Sequence, residues 1–202
     1  MTTGQQHQEV VVESTNGQQQ HANEDGVGQQ QQEELTSTLG ILQETTIVEN
    51  AASKGALCLD GTPPAYHLSE GFGPGKGNWM NNTTIQRFEC ILHNSSKFNP
   101  DFRSWTKVMV RYCDGSSLTG DVDPTIGLHF RGKRVFDAIV DDLLFSKGMK
   151  DAKEVLFTSG FAGELAVIIY YDRFANHFPN TTNVKCLSDG GFFLLSNNPL
   201  QA

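Results

Sequence analysis

Apolar side chains recur at helical spacing between Gly132 and Lys147, the most regular pattern in the chain. They fall at i, i+4 and i+8, while Lys and Asp occupy the opposite side, so this segment is predicted to be an amphipathic helix. The apolar set is Val135, Phe136, Ile139, Val140, Leu143 and Leu144. Gly148 is the expected helix stop, because glycine readily adopts the left-handed conformation that ends helices.

Shorter runs predict strands and a second helix on either side of this segment. Val155–Thr158 has the apolar character of a parallel strand covered on both faces. Lys107–Tyr112 and Asn183–Leu187 are predicted as two further strands, and Leu165–Tyr171 as a helix. An order of strand, helix, strand, helix, strand with short joins predicts an α/β fold with a right-handed parallel sheet.

The pattern is weaker before residue 105. Residues 46–79 are rich in Gly and Pro and are predicted as long loops with one short strand around Ala56–Leu59. Residues 80–104 are irregular, with a short helix around Ile85–Leu92. Residues 1–45 are rich in Gln and nearly lack large apolar groups, so they are predicted to be a disordered tail that precedes a folded domain at 46–202.

The chain is acidic, with a formal net charge of −8 over 202 residues. Lys and Arg drive binding to nucleic-acid phosphates, so a nucleic-acid partner is not expected. No run of 18 apolar residues is present, which argues against a membrane span, and the N-terminus lacks a signal-peptide pattern. Taken alone, these features favour a cytosolic protein of unknown oligomeric state.

Glycosylation sequons and cysteines favour the opposite, a secreted protein. Sequons of the form N-x-S/T begin at Asn81, Asn82, Asn94 and Asn180. The four cysteines could form two disulfides or remain reduced and buried; they are Cys58, Cys90, Cys113 and Cys186. No two of them are spaced C-x-x-C, so no metal site or cofactor is predicted.

The segment Glu154–Asp172 has the layout of a nucleophile elbow: a short apolar strand, a tight turn of small residues and an apolar helix. Such elbows read G-x-S-x-G, with the nucleophilic serine at the apex. Here the frame Ser159-Gly160-Phe161-Ala162-Gly163 places Phe161 at the apex. A phenyl ring has no proton to release and no lone pair to attack a carbonyl. The segment that best identifies the fold therefore argues against nucleophilic catalysis by the apex residue.

Several long motifs resemble the plant pectin acetylesterases. They are KGALCLDGTPPAYH (54–67), GFGPGKGNW (71–79), KFNPDFRSWTKVMVRYCDG (97–115), TGDV (119–122), LHFRGKRVFDAIVDDLL (128–144) and VKCLSDGGFF (184–193). The resemblance covers about Thr46 to Leu195 and extends to an animal carboxylesterase that removes a lipid from signalling proteins. It implies a partial α/β-hydrolase-like parallel sheet with flanking helices. It also implies a secreted, glycosylated serine esterase that uses Ser, Asp and His to remove acetyl groups from cell-wall homogalacturonan.

The sequence departs from this family at the elbow. The family reads Gly-Cys-Ser-Ala-Gly-Gly there, so Phe161 stands at the nucleophile, and Gly160 and Tyr171 stand where the family has two cysteines. We therefore expect no intact catalytic residue set, with the backbone N–H of Ala162 as the residual oxyanion donor. Because Phe161 is large for an elbow, strain or a reshaped turn is expected there.

Two further departures concern the rest of the family's catalytic machinery. After Trp79 the family runs through a strand into a Gly-Gly-Gly-Trp-Cys loop that supplies an oxyanion donor, whereas here the chain continues to Met80-Asn81-Asn82. The family's catalytic Asp and His fall beyond Ala202. Catalysis is therefore expected to be impaired.

Other candidate residues receive a structural interpretation. Ser159 could replace the nucleophile, but it lies at a strand end and is interpreted as a hydrogen-bonded serine. His129 is interpreted as a packing or capping residue rather than a base. Asp189 follows a strand, where catalytic acids often lie, and is assigned to hydrogen bonding in a turn. Asp114 and Asp121 are interpreted as solvated turn residues rather than groups that face a substrate cleft.

Three functional hypotheses remain open from the sequence. The first is a functioning pectin acetylesterase, which the family resemblance favours and the missing triad opposes; the second is a catalytically dead member that still binds acetylated polysaccharide. The third is a truncated remnant that folds poorly and exposes strand edges. Trp79 and Trp105 could stack on sugar rings, but core packing is the default for both.

Overall fold

A six-stranded mixed sheet forms the centre of the molecule. The structure, a computed structural model, describes residues 45–82, 88, 90–123 and 127–193. The strands are β1 (Thr45–Ile47), β2 (Ala65–Ser69), β3 (Asn78–Asn82), β4 (Thr106–Val110), β5 (Glu154–Gly160) and β6 (Asn183–Asp189), in the spatial order β1-β2-β4-β3-β5-β6. The last four in this order are parallel, while β1 and β2 add an antiparallel edge that the periodicity did not predict. The α/β-hydrolase-like fold class is confirmed.

Two helices pack against one face of this sheet. They are α1 (Gly132–Phe145) and α2 (Glu164–Ala175), and all six apolar residues predicted for α1 are buried. Their apolar sides share one core with β4 and β5, in which Phe136 stacks on Tyr170 at 4.5 Å and Phe157 lies 4.7 Å from Phe174. The helix ends at Phe145 with Ser146 as its cap, before the predicted stop at Gly148, which has a left-handed φ of 83° and precedes the 3₁₀ turn Met149–Asp151.

A smaller core covers the opposite face of the sheet. It contains Met80, Phe88, Leu92 and Met109, with Phe102 and Trp105 packed against it. Alternate residues of β4 point to the two faces, because side chains alternate along a strand. Val108 therefore joins the helix-covered core, and Met109 joins the smaller one.

Three local predictions in the first half of the chain need correction or restriction. Ala56–Leu59 is not a strand: the Cys58 N–H donates to the Thr62 carbonyl, and the Leu59 N–H donates to the Cys113 carbonyl, so the segment folds as a turn. Of the predicted helix at 85–92, residues 85–87 and 89 lie outside the described residues, and Cys90–Leu92 forms a single 3₁₀ turn. Met80-Asn81-Asn82, predicted as the start of an irregular segment, complete the strand β3.

A disulfide joins Cys58 to Cys113 across 55 positions of sequence, with Cα atoms 4.9 Å apart. It ties the turn before β2 to the loop after β4. Cys186 is a free, exposed thiol. The predicted tail lies outside the described residues apart from Thr45, the first residue of β1. None of the described helices is long and apolar enough to cross a bilayer.

Candidate active site

The turn between β5 and α2 has the geometry of a nucleophile elbow. β5 ends at Gly160, a 3₁₀ turn covers Phe161–Gly163, and α2 begins at Glu164. Phe161 at the apex has a φ of +54°, a left-handed conformation that is rare for a bulky residue. This meets the expectation of backbone strain. Its ring is 81% exposed, so its size does not disturb the packing of α2 on the sheet.

The carboxylate of Glu164 lies directly behind this turn. Glu164 is completely buried, and its Oε1 accepts a hydrogen bond of 3.0 Å from the Phe161 N–H. Its Oε2 accepts a hydrogen bond of 3.1 Å from the Ser188 hydroxyl. A negative charge at the first residue of a helix is favoured by the helix dipole. Glu164 therefore connects the apex of the elbow to the end of β6.

Glycine is required where the chain leaves β6. A Cβ atom added at Gly191 would overlap Glu164 Oε2, and it would lie 2.8 Å from the Phe193 ring. Gly190 has a φ of +91°, a conformation that glycine adopts without steric penalty. The loop after β6 thus closes over the buried carboxylate.

The ends of β5 and β6 bring two serines side by side. In the parallel register, Ser159 lies opposite Ser188 and Gly160 lies opposite Asp189. Ligands of open α/β sheets bind beyond the carboxyl ends of the strands, which is where these residues lie. Ser159 is 1% exposed, and its hydroxyl is 3.4 Å from the Gly160 carbonyl oxygen. It is a buried strand-end serine, as predicted.

The sequence reasoning missed two residues of this site, Glu164 and Ser188. Ser188 is exposed, as is Asp189 beside it. The available signal was its position immediately before the candidate Asp189 at a strand end. Its contact with Glu164 could not be read from spacing along the chain, because the two residues are 24 positions apart.

Ala162, the predicted oxyanion donor, follows the apex and is exposed in the same turn. A donor at this position fits the elbow geometry, in which the residue after the nucleophile supplies one N–H to the oxyanion. The role itself remains a prediction. The segment that follows β3, where the family has its glycine loop, begins with residues 83–87, which lie outside the described residues.

The other candidates occupy structural positions. Asp114 stabilises its turn by accepting hydrogen bonds from the backbone N–H groups of Ser116 and Leu118, both at 3.1 Å; it is fully buried rather than solvated. Asp121 lies on the surface and pairs with Arg134 at 2.6 Å. His129 lies against the Asp60 turn, where its backbone N–H donates to the Leu59 carbonyl at 3.0 Å.

Hydrogen bonding within the Asp60 turn affects the titration of that aspartate. The Thr62 hydroxyl and backbone N–H donate to the Asp60 carboxylate at 2.7 and 3.0 Å, and these bonds lower the pKa of Asp60. The Asp60 carboxylate and His129 lie at the same surface turn, and neither residue belongs to the elbow. The prediction of a packing role for His129 agrees with these contacts.

The two tryptophans pack in the protein interior. Trp79 is 6% exposed in the helix-covered core. Trp105 packs edge-to-face on Phe102, with ring centroids 5.0 Å apart, against the smaller core. Core packing, the default interpretation, is confirmed for both.

A groove and a buried cation lie apart from the elbow. The groove, of about 430 Å³, is lined by residues 46–50 and 54 and by the C-terminal half of α1, and it shares no residue with the elbow. Lys107 on β4 is completely buried, with its Nζ 2.7 Å from the Arg103 carbonyl oxygen. Burial lowers the pKa of Lys107 to about 8.

Comparisons with known proteins identify relatives among esterases. A family model described as Pectinacetylesterase matches residues 36–84 and 80–201. Pectin acetylesterase 11 of Arabidopsis thaliana is 42% identical over 179 residues, and pectin acetylesterase 7 of the same plant is 40% identical over 179 residues. Each alignment covers 74% of this chain and 46% of the relative. Palmitoleoyl-protein carboxylesterase notum2 of Xenopus laevis is 29% identical over 177 residues, covering 72% of this chain and 36% of the relative. The chain spans about half the length of the plant relatives.

Proposed function

Because this chain belongs to the pectinacetylesterase family, we propose that it is a carboxylic ester hydrolase for acetylated pectin with impaired activity. The observation that carries the proposal is the elbow itself, whose apex keeps a left-handed backbone with Phe161 in place of a nucleophile. The turn would still present a substrate carbonyl to the N–H of Ala162. It cannot form a covalent acyl intermediate at the apex.

The expected loss of activity is large. A serine hydrolase without its nucleophile keeps roughly 10³–10⁴-fold rate enhancement over water, from binding and the oxyanion donors. Turnover of acetylated pectin and of 4-nitrophenyl acetate by the purified chain tests this, beside Phe161→Ser and a heat-treated sample. Turnover no greater than the heat-treated background would refute hydrolysis, while turnover typical of an intact serine esterase would refute impairment.

A second function, binding of acetylated pectin without hydrolysis, is favoured by two exposed aromatic rings. Phe161 is 81% exposed and Phe192 is 85% exposed, so both side chains are accessible to a ligand. Their backbones flank the Glu164 carboxylate from the elbow and from the loop after β6. Aromatic faces can pack on the C–H faces of sugar rings.

The net charge of the chain predicts which form of homogalacturonan it would bind better. A net charge of −8 repels the carboxylates of unesterified homogalacturonan. Methyl esterification neutralises these carboxylates, whereas acetylation of hydroxyls leaves them charged, so we expect binding to increase with methyl esterification. Affinity electrophoresis in gels containing acetylated homogalacturonan of high or low methyl esterification tests this, with Phe161→Ala and Phe192→Ala as variants. Equal mobility in all gels would refute the binding hypothesis.

Secretion to the plant cell wall is the location proposed with this function. The Cys58–Cys113 disulfide supports it, because disulfides persist in oxidising compartments. The exposed sequon at Asn180 also supports it. Immunodetection of the tagged full-length chain in wall and cytosolic fractions of plant cells tests the location, and recovery in the cytosol alone would refute it.

A further inference from the structure

Ser188 and Glu164 form a hydroxyl–carboxylate pair beside the apex of the elbow. The Ser188 hydroxyl donates to Glu164 Oε2 at 3.1 Å. Ser188 is exposed at the carboxyl end of β6, whereas Glu164 is completely buried. A hydroxyl at the surface is thus backed by a carboxylate that is shielded from water.

This arrangement has the features of an activated nucleophile. Such a nucleophile lies within hydrogen-bond reach of a base, and a third group orients the base. Here the third group is the Phe161 N–H, which holds Glu164 Oε1 at 3.0 Å. The position is also that of a ligand site, because β5 and β6 end here side by side.

We propose that Ser188 is a replacement nucleophile for ester cleavage in this chain and that Glu164 is its general base. This inference rests on the proposed hydrolase function and names the residues that would carry it. Phe161 occupies the family's nucleophile position but leaves the elbow, with the N–H of Ala162, in place. The hydroxyl that acts comes from the neighbouring strand.

The chemical step balances with these groups and water. Glu164 Oε2 takes the proton of the Ser188 hydroxyl as Oγ attacks the acetyl carbonyl carbon, and the N–H of Ala162 stabilises the oxyanion. The bond from the carbonyl carbon to the sugar oxygen breaks, and that oxygen takes the proton from Glu164. Water then attacks acetyl-Ser188 and gives one proton to Glu164, which returns it to Oγ as acetic acid leaves; the acid releases its remaining proton in solution.

A purely structural role for the pair makes different predictions. If Glu164 only holds the elbow to β6, then Glu164→Gln keeps most of the contact, because an amide can accept from the Phe161 N–H and still hydrogen-bond to the Ser188 hydroxyl. The same variant removes the base. The reactivity of Ser188 in Glu164→Gln therefore distinguishes a catalytic role of Glu164 from a purely structural one.

The test is covalent labelling of the purified full chain with a fluorophosphonate probe, located by peptide mass spectrometry. We expect the probe on Ser188, loss of label in Ser188→Ala, and labelling at least ~100-fold slower in Glu164→Gln, the scale of general-base catalysis. Ser96→Ala, which removes an exposed serine from another turn, is the matched control and should label like the parent. Circular dichroism melts of all variants show which are folded.

Several results would overturn the assignment. Label on another residue, an unchanged rate in folded Glu164→Gln, or no label on the folded parent each refutes it. If Ser188→Ala loses its fold, Ser188→Cys keeps a side chain of similar size, and its failure to become acetylated by 4-nitrophenyl acetate counts against the assignment. Undiminished ester turnover by folded Ser188→Ala refutes this inference alone, whereas no turnover and no label in the parent refutes the hydrolase function as well.

Discussion

Removal of the Cys58–Cys113 disulfide should destabilise the domain by an amount set by the loop it closes. The bond joins positions 55 residues apart. In the chain-entropy treatment a loop of 15 residues contributes about 3 kcal/mol and one of 100 residues about 4.7, so this loop corresponds to about 4 kcal/mol. Typical domains unfold with about 5–15 kcal/mol in total, so the loss would be a large share of the stability.

The assay is equilibrium unfolding in urea of the Cys58→Ala/Cys113→Ala double variant beside the parent. We expect a fall of about 4 kcal/mol in the unfolding free energy and a melting temperature lower by roughly 10 °C. Cys186→Ser removes an exposed free thiol and should change stability by less than about 0.5 kcal/mol. A loss below about 1 kcal/mol in the double variant, with an unchanged slope on urea, would refute the loop-closure reasoning.

Three further predictions follow from packing, titration and exposure. Gly191→Ala should lower the unfolding free energy by about 1–3 kcal/mol, and with it the melting temperature, because the added Cβ would displace the Glu164 carboxylate. An unchanged melting temperature in calorimetry would contradict this. Burial lowers the pKa of Lys107 from 10.5 to about 8, so the unfolded chain binds more protons between these pH values and stability should rise from pH 8 to 10.5 relative to Lys107→Met. If the urea midpoints of the parent and of Lys107→Met change equally with pH across this range, Lys107 does not cause the rise in stability. In a secreting plant host Asn180, exposed in the turn before β6, should carry an N-glycan, whereas Asn81, 4% exposed in β3, should not; peptide mapping after endoglycosidase treatment checks both.

The second half of the fold could be predicted because its elements are apolar and regular. The spacing of α1 and the apolar run of β5 are dictated by burial against one core, so each is visible in a short window of sequence. The strand β3, with the sequence Asn-Trp-Met-Asn-Asn, has no such pattern. It is a strand because β4 and β5 pair with it on both sides.

The candidate site also has one part that could be predicted from the sequence and one part that could not. The elbow at Phe161 could be predicted because a tight turn needs small neighbours, which the sequence displays. The contact of Ser188 with Glu164 depends on the register of β5 and β6, and the pairing of Cys58 with Cys113 depends on how distant loops meet. Neither contact can be recognised from the spacing of residues along the chain.

The buried carboxylate at the start of α2 limits what a single substitution at the apex of the elbow can restore. The related plant esterases are expected to carry glycine where Glu164 stands, so Phe161 and Glu164 are two departures in one turn. The carboxylate now holds both the apex N–H and a hydroxyl from β6. Replacement of Phe161 by serine alone would therefore place a new hydroxyl in a turn whose backbone N–H and neighbouring strand are already held by Glu164.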